Sequence, residues 1–67
     1  MWMIIKDHLG NKRYINVNYI SDFYFNGTHT IINIGSDHPI NMLGDFTKNL
    51  IEEIRLATKA KVTQIGE

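Results

Sequence analysis

The first six residues are apolar on both alternating faces, with Trp2 and Ile4 opposite Met3 and Ile5. Such a run predicts a strand covered on two sides or pressed against a partner. Leu9-Gly10-Asn11 marks a turn, after which Lys12 to Val17 alternates, Arg13, Ile15 and Val17 facing one way and Tyr14 and Asn16 the other, so the two segments read as a hairpin. Asn16-Val17-Asn18 carries side chains that bond to nearby backbone and predicts a bend before a third strand, Ile20 to Phe25. Asn26-Gly27 is the strongest local signal. It tolerates the positive φ angles of a two-residue type I′ turn and makes the third and fourth strands neighbours. The fourth strand, Thr28 to Ile34, puts Thr28, Thr30, Ile32 and Ile34 on one face and His29, Ile31 and Asn33 on the other. Gly35-Ser36-Asp37 then leads into a short Ile40 to Leu43 strand, with Pro39 where a missing N–H suits a sheet edge.

From Phe46 the period becomes helical. Phe46, Leu50, Ile54 and Ala57 form an apolar stripe, Lys48, Glu52, Arg55 and Lys59 a polar face, and Asp45 stands at the N-cap position. Ile51 and Val62 on one flank and Leu56 on the other widen the apolar arc beyond what one sheet face requires, a second sign of a partner surface. Lys61 to Glu67 has no firm pattern and is expected to fray. The predicted fold is therefore α+β: an antiparallel β-meander of four to five strands with one C-terminal amphipathic helix packed on one face, in a single domain over residues 1–67.

Length sharpens the partner argument. Sixty-seven residues and 7.8 kDa leave no room for a catalytic domain beside a binding domain. Cores this small seldom supply more than ~3–5 kcal/mol without a staple, and with no cysteine the chain has neither a disulfide nor a zinc ribbon to serve as one. Seven Lys and Arg balance seven Asp and Glu, so no bulk attraction to phosphate or acidic lipid is available. Only five apolar residues precede Lys6, too few for a signal segment or a membrane span, which makes cytoplasm the expected location. Eleven Ile and seven Asn reflect AT-rich codons, the usage of a low-GC bacterium or its virus.

Candidate chemistry is sparse. Asp7-His8 and Asp37-His38 lie in predicted turns and His29 beside the Asn-Gly turn, but no HxH or HxxxH spacing occurs, so the residues are expected to cap backbone groups or stay solvated rather than bind metal. Ser21 and Ser36 have no nucleophile elbow nearby, and Glu52 and Glu53 diverge on a helix. No enzyme activity, catalytic residue or cofactor is predicted. The aromatics Tyr14, Tyr19, Phe23, Tyr24 and Phe25, with Lys6, Lys12 and Arg13, admit base stacking, with Arg13, Tyr14 and Tyr24 as candidate contacts to single-stranded nucleic acid. Zero net charge argues against it.

The order Leu9-Gly10-Asn11-Lys12, Tyr14-Ile15-Asn16, Ile20, Phe23, Thr30-Ile31-Ile32-Asn33-Ile34, Gly35 and a helix from Asp45 resembles the small flagellar FlbD-type proteins, over roughly Met3 to Leu56. The chain departs from that pattern at Asn26-Gly27-Thr28 and at Leu43-Gly44-Asp45-Phe46. The resemblance implies an accessory or regulatory role and carries over no catalytic residue. The leading expectation is a non-enzymatic module that self-associates, as a dimer, and binds another protein, with Trp2, Met3, Ile4, Ile5, Ile51 and Leu56 at the interface. Alternatives are a virus- or prophage-encoded inhibitor or ligand sponge acting as an oligomer, and a single-strand-binding β-domain.

Overall fold

The computed structural model describes residues 1–59 and 61–66; Ala60 and Glu67 lie outside the described residues, as do the ends of the expected domain and of the expected fraying segment that fall on them. Five strands and one helix follow in order: β1 (Trp2–Lys6), β2 (Lys12–Asn16), β3 (Asp22–Phe25), β4 (His29–Asn33), β5 (Ile40–Leu43) and α1 (Thr47–Thr58), with a 3-10 turn at Val17–Tyr19. The α+β class holds, but the single meander does not. The strands form two antiparallel sheets, β1-β2 and β3-β4-β5. The Asn16 side chain causes the break between β2 and β3: it accepts from the Asn18 N–H at 3.0 Å, which favours a turn over continued pairing.

Both sheets contribute to one core. Ile5 and Ile15 of the hairpin meet Ile32, Ile40 and Met42 of the three-stranded sheet and Leu50 of α1, with Met3, Ile20, Phe23, Ile34 and Phe46 packed around them. Alternation explains the choice on β1: Met3 and Ile5 turn inward, while Trp2 and Ile4 face outward. Phe25 shares a face with Phe23 by alternation yet stands exposed at the strand end. The helix rests on the core through Leu50, with Phe46, Ile51, Ile54 and Ala57 half-buried.

The β3-β4 hairpin forms where Asn26-Gly27 predicts it, with a different turn. Asn26 donates its N–H to the His29 carbonyl at 3.0 Å, so Gly27 and Thr28 are the central pair. Gly27 has φ 105° whereas Thr28 is not in the positive-φ region, the pattern of a II′ turn rather than I′. Asn26 Oδ1 fixes this choice by accepting the N–H groups of Thr28 and His29 and the Thr28 hydroxyl.

The helix begins one residue later than its stripe suggests. Phe46 occupies the N-cap position without a side-chain cap bond, and Asp45 accepts the Thr47 N–H at 3.0 Å and its hydroxyl at 2.7 Å from one position earlier. Lys59 closes the helix in the left-handed region, at φ 56°, donating its N–H to the Arg55 carbonyl. Residues 61–66 have no regular secondary structure.

Thr30 ties the helix entry to the sheet. It is fully buried, donates its hydroxyl to the Gly44 carbonyl at 2.7 Å and accepts the Phe46 N–H at 2.8 Å. Thr30→Val keeps the shape and removes both partners. It is expected to destabilise the fold by about 1–3 kcal/mol, because a buried donor and acceptor lose their bonds; urea unfolding of the two proteins measures it.

Candidate functional site

Where the two sheets meet, their edges open into a groove. Among the described residues β1 pairs only with β2, and β5 only with β4. Val17 donates its N–H to the Met1 carbonyl and Asp7 its N–H to the Asn11 carbonyl, so by antiparallel alternation Met1, Met3, Ile5 and Asp7 direct their backbone groups at β2. The backbone groups of Trp2, Ile4, Lys6 and His8 therefore point the opposite way. His8 uses its N–H to reach the Asn41 carbonyl of β5 at 2.8 Å, and beyond that contact β1 and β5 diverge. The space between them is about 840 Å³ and is bounded by β1, by Met42 and Leu43 of β5, and by Phe46, Asn49, Leu50 and Glu53 at the start of α1.

The outer rim is apolar. Trp2 is 66% exposed, Ile4 61% and Leu43 68%, and Tyr14 lies across from Ile4 in the β1-β2 register with 64% of its surface open. Of the residues expected at an interface, Trp2, Ile4 and Leu56 are exposed and Ile51 and Met3 are half-buried. Ile5 is in the core, 7% exposed, because it shares the inward face with Met3, and it corrects the expectation for that position. Leu56 lies outside the groove, among Glu52, Arg55, Lys59 and Lys61 around a smaller depression. Leu43 is a rim residue that sequence reasoning missed. Its signal was present in the alternation of the fifth strand, where Ile40 and Met42 face the core and Asn41 and Leu43 must face away.

The candidate nucleic-acid contacts do not converge. Arg13 stands on the face of β2 opposite Tyr14 and pairs with Asp7, its Nη1 3.6 Å from Oδ2, while Tyr24 belongs to the other sheet. Among the described residues no three His, Asp or Glu side chains gather as a metal-binding group, and no helix is long and apolar enough to cross a membrane.

The turn residues divide sharply. Asp7 acts as a clamp, its Oδ1 accepting the N–H groups of Leu9 at 3.0 Å and Asn11 at 2.8 Å. His8 and His29, 21 residues apart in the chain, come together with ring centres 6.0 Å apart and nearly perpendicular planes. His38 stays exposed in the turn before β5, where Ser36 bonds to its backbone.

Compared with protein-family models, with curated proteins and with solved structures, the chain matches none. Its fold defines it as a small α+β domain with two antiparallel sheets and a groove between their edges.

The clamp carries a pH dependence. The Asn11 N–H, foremost, holds the Asp7 carboxyl below its ordinary value of 3.8; burial opposes this, and the Leu9 N–H, the Arg13 charge and His8 reinforce it. Asp45 is lowered as well, by the Thr47 hydroxyl first and the Thr47 N–H second. A depressed carboxyl stabilises the fold above its unfolded pKa and loses that contribution as pH falls through the folded one. The melting temperature is therefore expected to fall on acidification below about pH 4, the unfolded carboxylate range, and to fall less steeply in Asp7→Asn. Thermal unfolding from neutral pH into that range checks it; identical slopes in both proteins would remove Asp7 from the account.

Proposed function

We propose that the chain is a non-enzymatic interaction module that self-associates as a dimer through the outer face and free edge of β1, in an accessory or regulatory role of the kind the FlbD-type resemblance implies. The observation that carries this is the apolar rim of Trp2, Ile4, Tyr14 and Leu43 beside an unpaired strand edge. Free edges invite pairing, and natural edge strands are usually guarded by charge, proline or a bulge. On β1 that guard is limited to Lys6 at one end, while the outward positions before it are Trp2 and Ile4. The four exposed side chains of the rim make an apolar surface of the kind that marks an interaction site when it is contiguous.

The groove supports a second reading, that of an oligomeric inhibitor or ligand sponge. Its volume of about 840 Å³ falls within the range of small-molecule sites, and its mixed lining of Trp2, Phe46 and Leu50 with Lys6, Asn49 and Glu53 offers both apolar and polar contacts. A ligand taking this site would show as an added mass in native mass spectrometry of protein purified under mild conditions.

Light scattering after size exclusion tests the leading reading. The expected mass is twice 7.8 kDa at high micromolar concentration, and the double variant Trp2→Ser, Ile4→Ser is expected to elute as a folded monomer, since neither side chain is in the core. A wild-type chain that remains monomeric there would overturn the reading.

A further inference from the structure

We propose that His8 and His29 form a divalent transition-metal site, for an ion such as Zn²⁺ or Ni²⁺, that staples the hairpin to the three-stranded sheet. The two side chains come from opposite sides of the junction: His8 follows β1, and His29 opens β4. Their hydrogen bonds prepare both for the same task. His29 Nδ1 is 2.8 Å from the Thr28 hydroxyl, which itself donates to Asn26 Oδ1 at 3.1 Å. With the hydroxyl proton on Asn26 Oδ1, the Thr28 oxygen accepts from Nδ1–H, and in that tautomer the lone pair of His29 is at Nε2. His8 Nδ1 lies 3.4 Å from the Asn41 carbonyl, which can only accept, and this again places the proton on Nδ1 and the lone pair on Nε2. A ring N–H held by an oxygen, leaving the lone pair on the other nitrogen, is the usual support of a metal-bound histidine.

Spacing and a third donor fit the same ligand. An ion about 2.1 Å from each Nε2 at a tetrahedral angle puts two ring centres roughly 5 Å apart, and a wider angle carries them to about 6 Å. The observed separation is 6.0 Å. Asn41 lies diagonally from His29 on the same face of the β4-β5 pair, and its Oδ1 is buried without a hydrogen-bond partner. An amide oxygen in that condition is a donor atom available to a cation at this junction, with water completing the shell. Two imidazoles and at most one amide oxygen select borderline divalent ions over Mg²⁺ or Ca²⁺, which demand several oxygens.

The consequence is mechanical. The two sheets share one backbone hydrogen bond among the described residues, His8 N–H to Asn41 C=O, and an ion held by His8 and His29 would join them a second time at the same place. A chain this short without cysteine gains more from such a cross-link than a larger domain would.

Titration with ZnCl₂ or NiCl₂ alone, read by calorimetry and by thermal unfolding, tests the site. One ion per chain is expected, with a rise in melting temperature that EDTA reverses. His8→Ala and His29→Ala should each weaken binding at least tenfold and abolish the rise, whereas His38→Ala should leave both unchanged. Metal-free circular dichroism of each variant separates loss of the site from loss of the fold, and His29→Asn provides a second removal of the ligand should His29→Ala unfold. No metal-dependent rise in the wild type, or equal weakening by His38→Ala, overturns the proposal.

Discussion

Everything in this fold depends on how two sheets with separate hydrogen-bond ladders are made to share one core. The hairpin touches the three-stranded sheet through apolar packing of Ile5 and Ile15 on Ile32, Ile40, Met42 and Leu50, and through the His8 N–H bond to the Asn41 carbonyl. Packing is non-directional, so it holds the sheets together without fixing their angle. The hydrogen bond is directional and sits at one end of the junction. It acts as a hinge point from which the edges of β1 and β5 spread, and the spread leaves the groove. Asp7 makes this arrangement specific: by holding the Leu9 and Asn11 N–H groups it sets the shape of the loop that delivers the His8 N–H to β5.

The same geometry explains why the outer surface is apolar where it is. β1 must place Met3 and Ile5 inward to complete the core, and strand alternation then forces Trp2 and Ile4 outward. In a closed five-stranded sheet these outward residues would still face solvent, but the edge beside them would be paired. Here an exposed apolar rim and unpaired backbone groups coincide, which is the combination that β-pairing with another chain satisfies. Seven buried apolar side chains among the described residues leave little stability in reserve, so burial of that rim would contribute to folding as well as to recognition.

What could be read from the sequence was local. A continuous apolar run marks β1, hydrophobic period two marks β2 and β4, the Ile40–Leu43 strand has its expected bounds, and the Asn16 and Asn26 side chains mark the bend and the hairpin they create. The errors arose where two local choices compete or where distant segments meet. Asn26-Gly27 admits two registers, and three bonds to Asn26 Oδ1 select the one with Gly27-Thr28 at the centre. Separation of the strands into two sheets depends on whether β1 reaches β5, a contact 33 residues apart that no periodicity encodes. Ile5 joined the expected interface because every position of an all-apolar strand looks alike until the core side is known.

The histidines show the same limit from the side of chemistry. Arguing from HxH and HxxxH spacing tests only whether one strand or one helix presents two imidazoles together. His8 and His29 meet by another route: the Asp7 clamp turns the chain after β1, the His8 N–H docks on Asn41, and the register of β5 on β4 places His29 opposite Leu43, diagonal to Asn41. Each step is a hydrogen bond or a strand register, and none changes the number of residues between the two rings. Juxtaposition of this kind follows from the fold, and it places the most chemically capable side chains of the molecule at the junction that its short core leaves least supported.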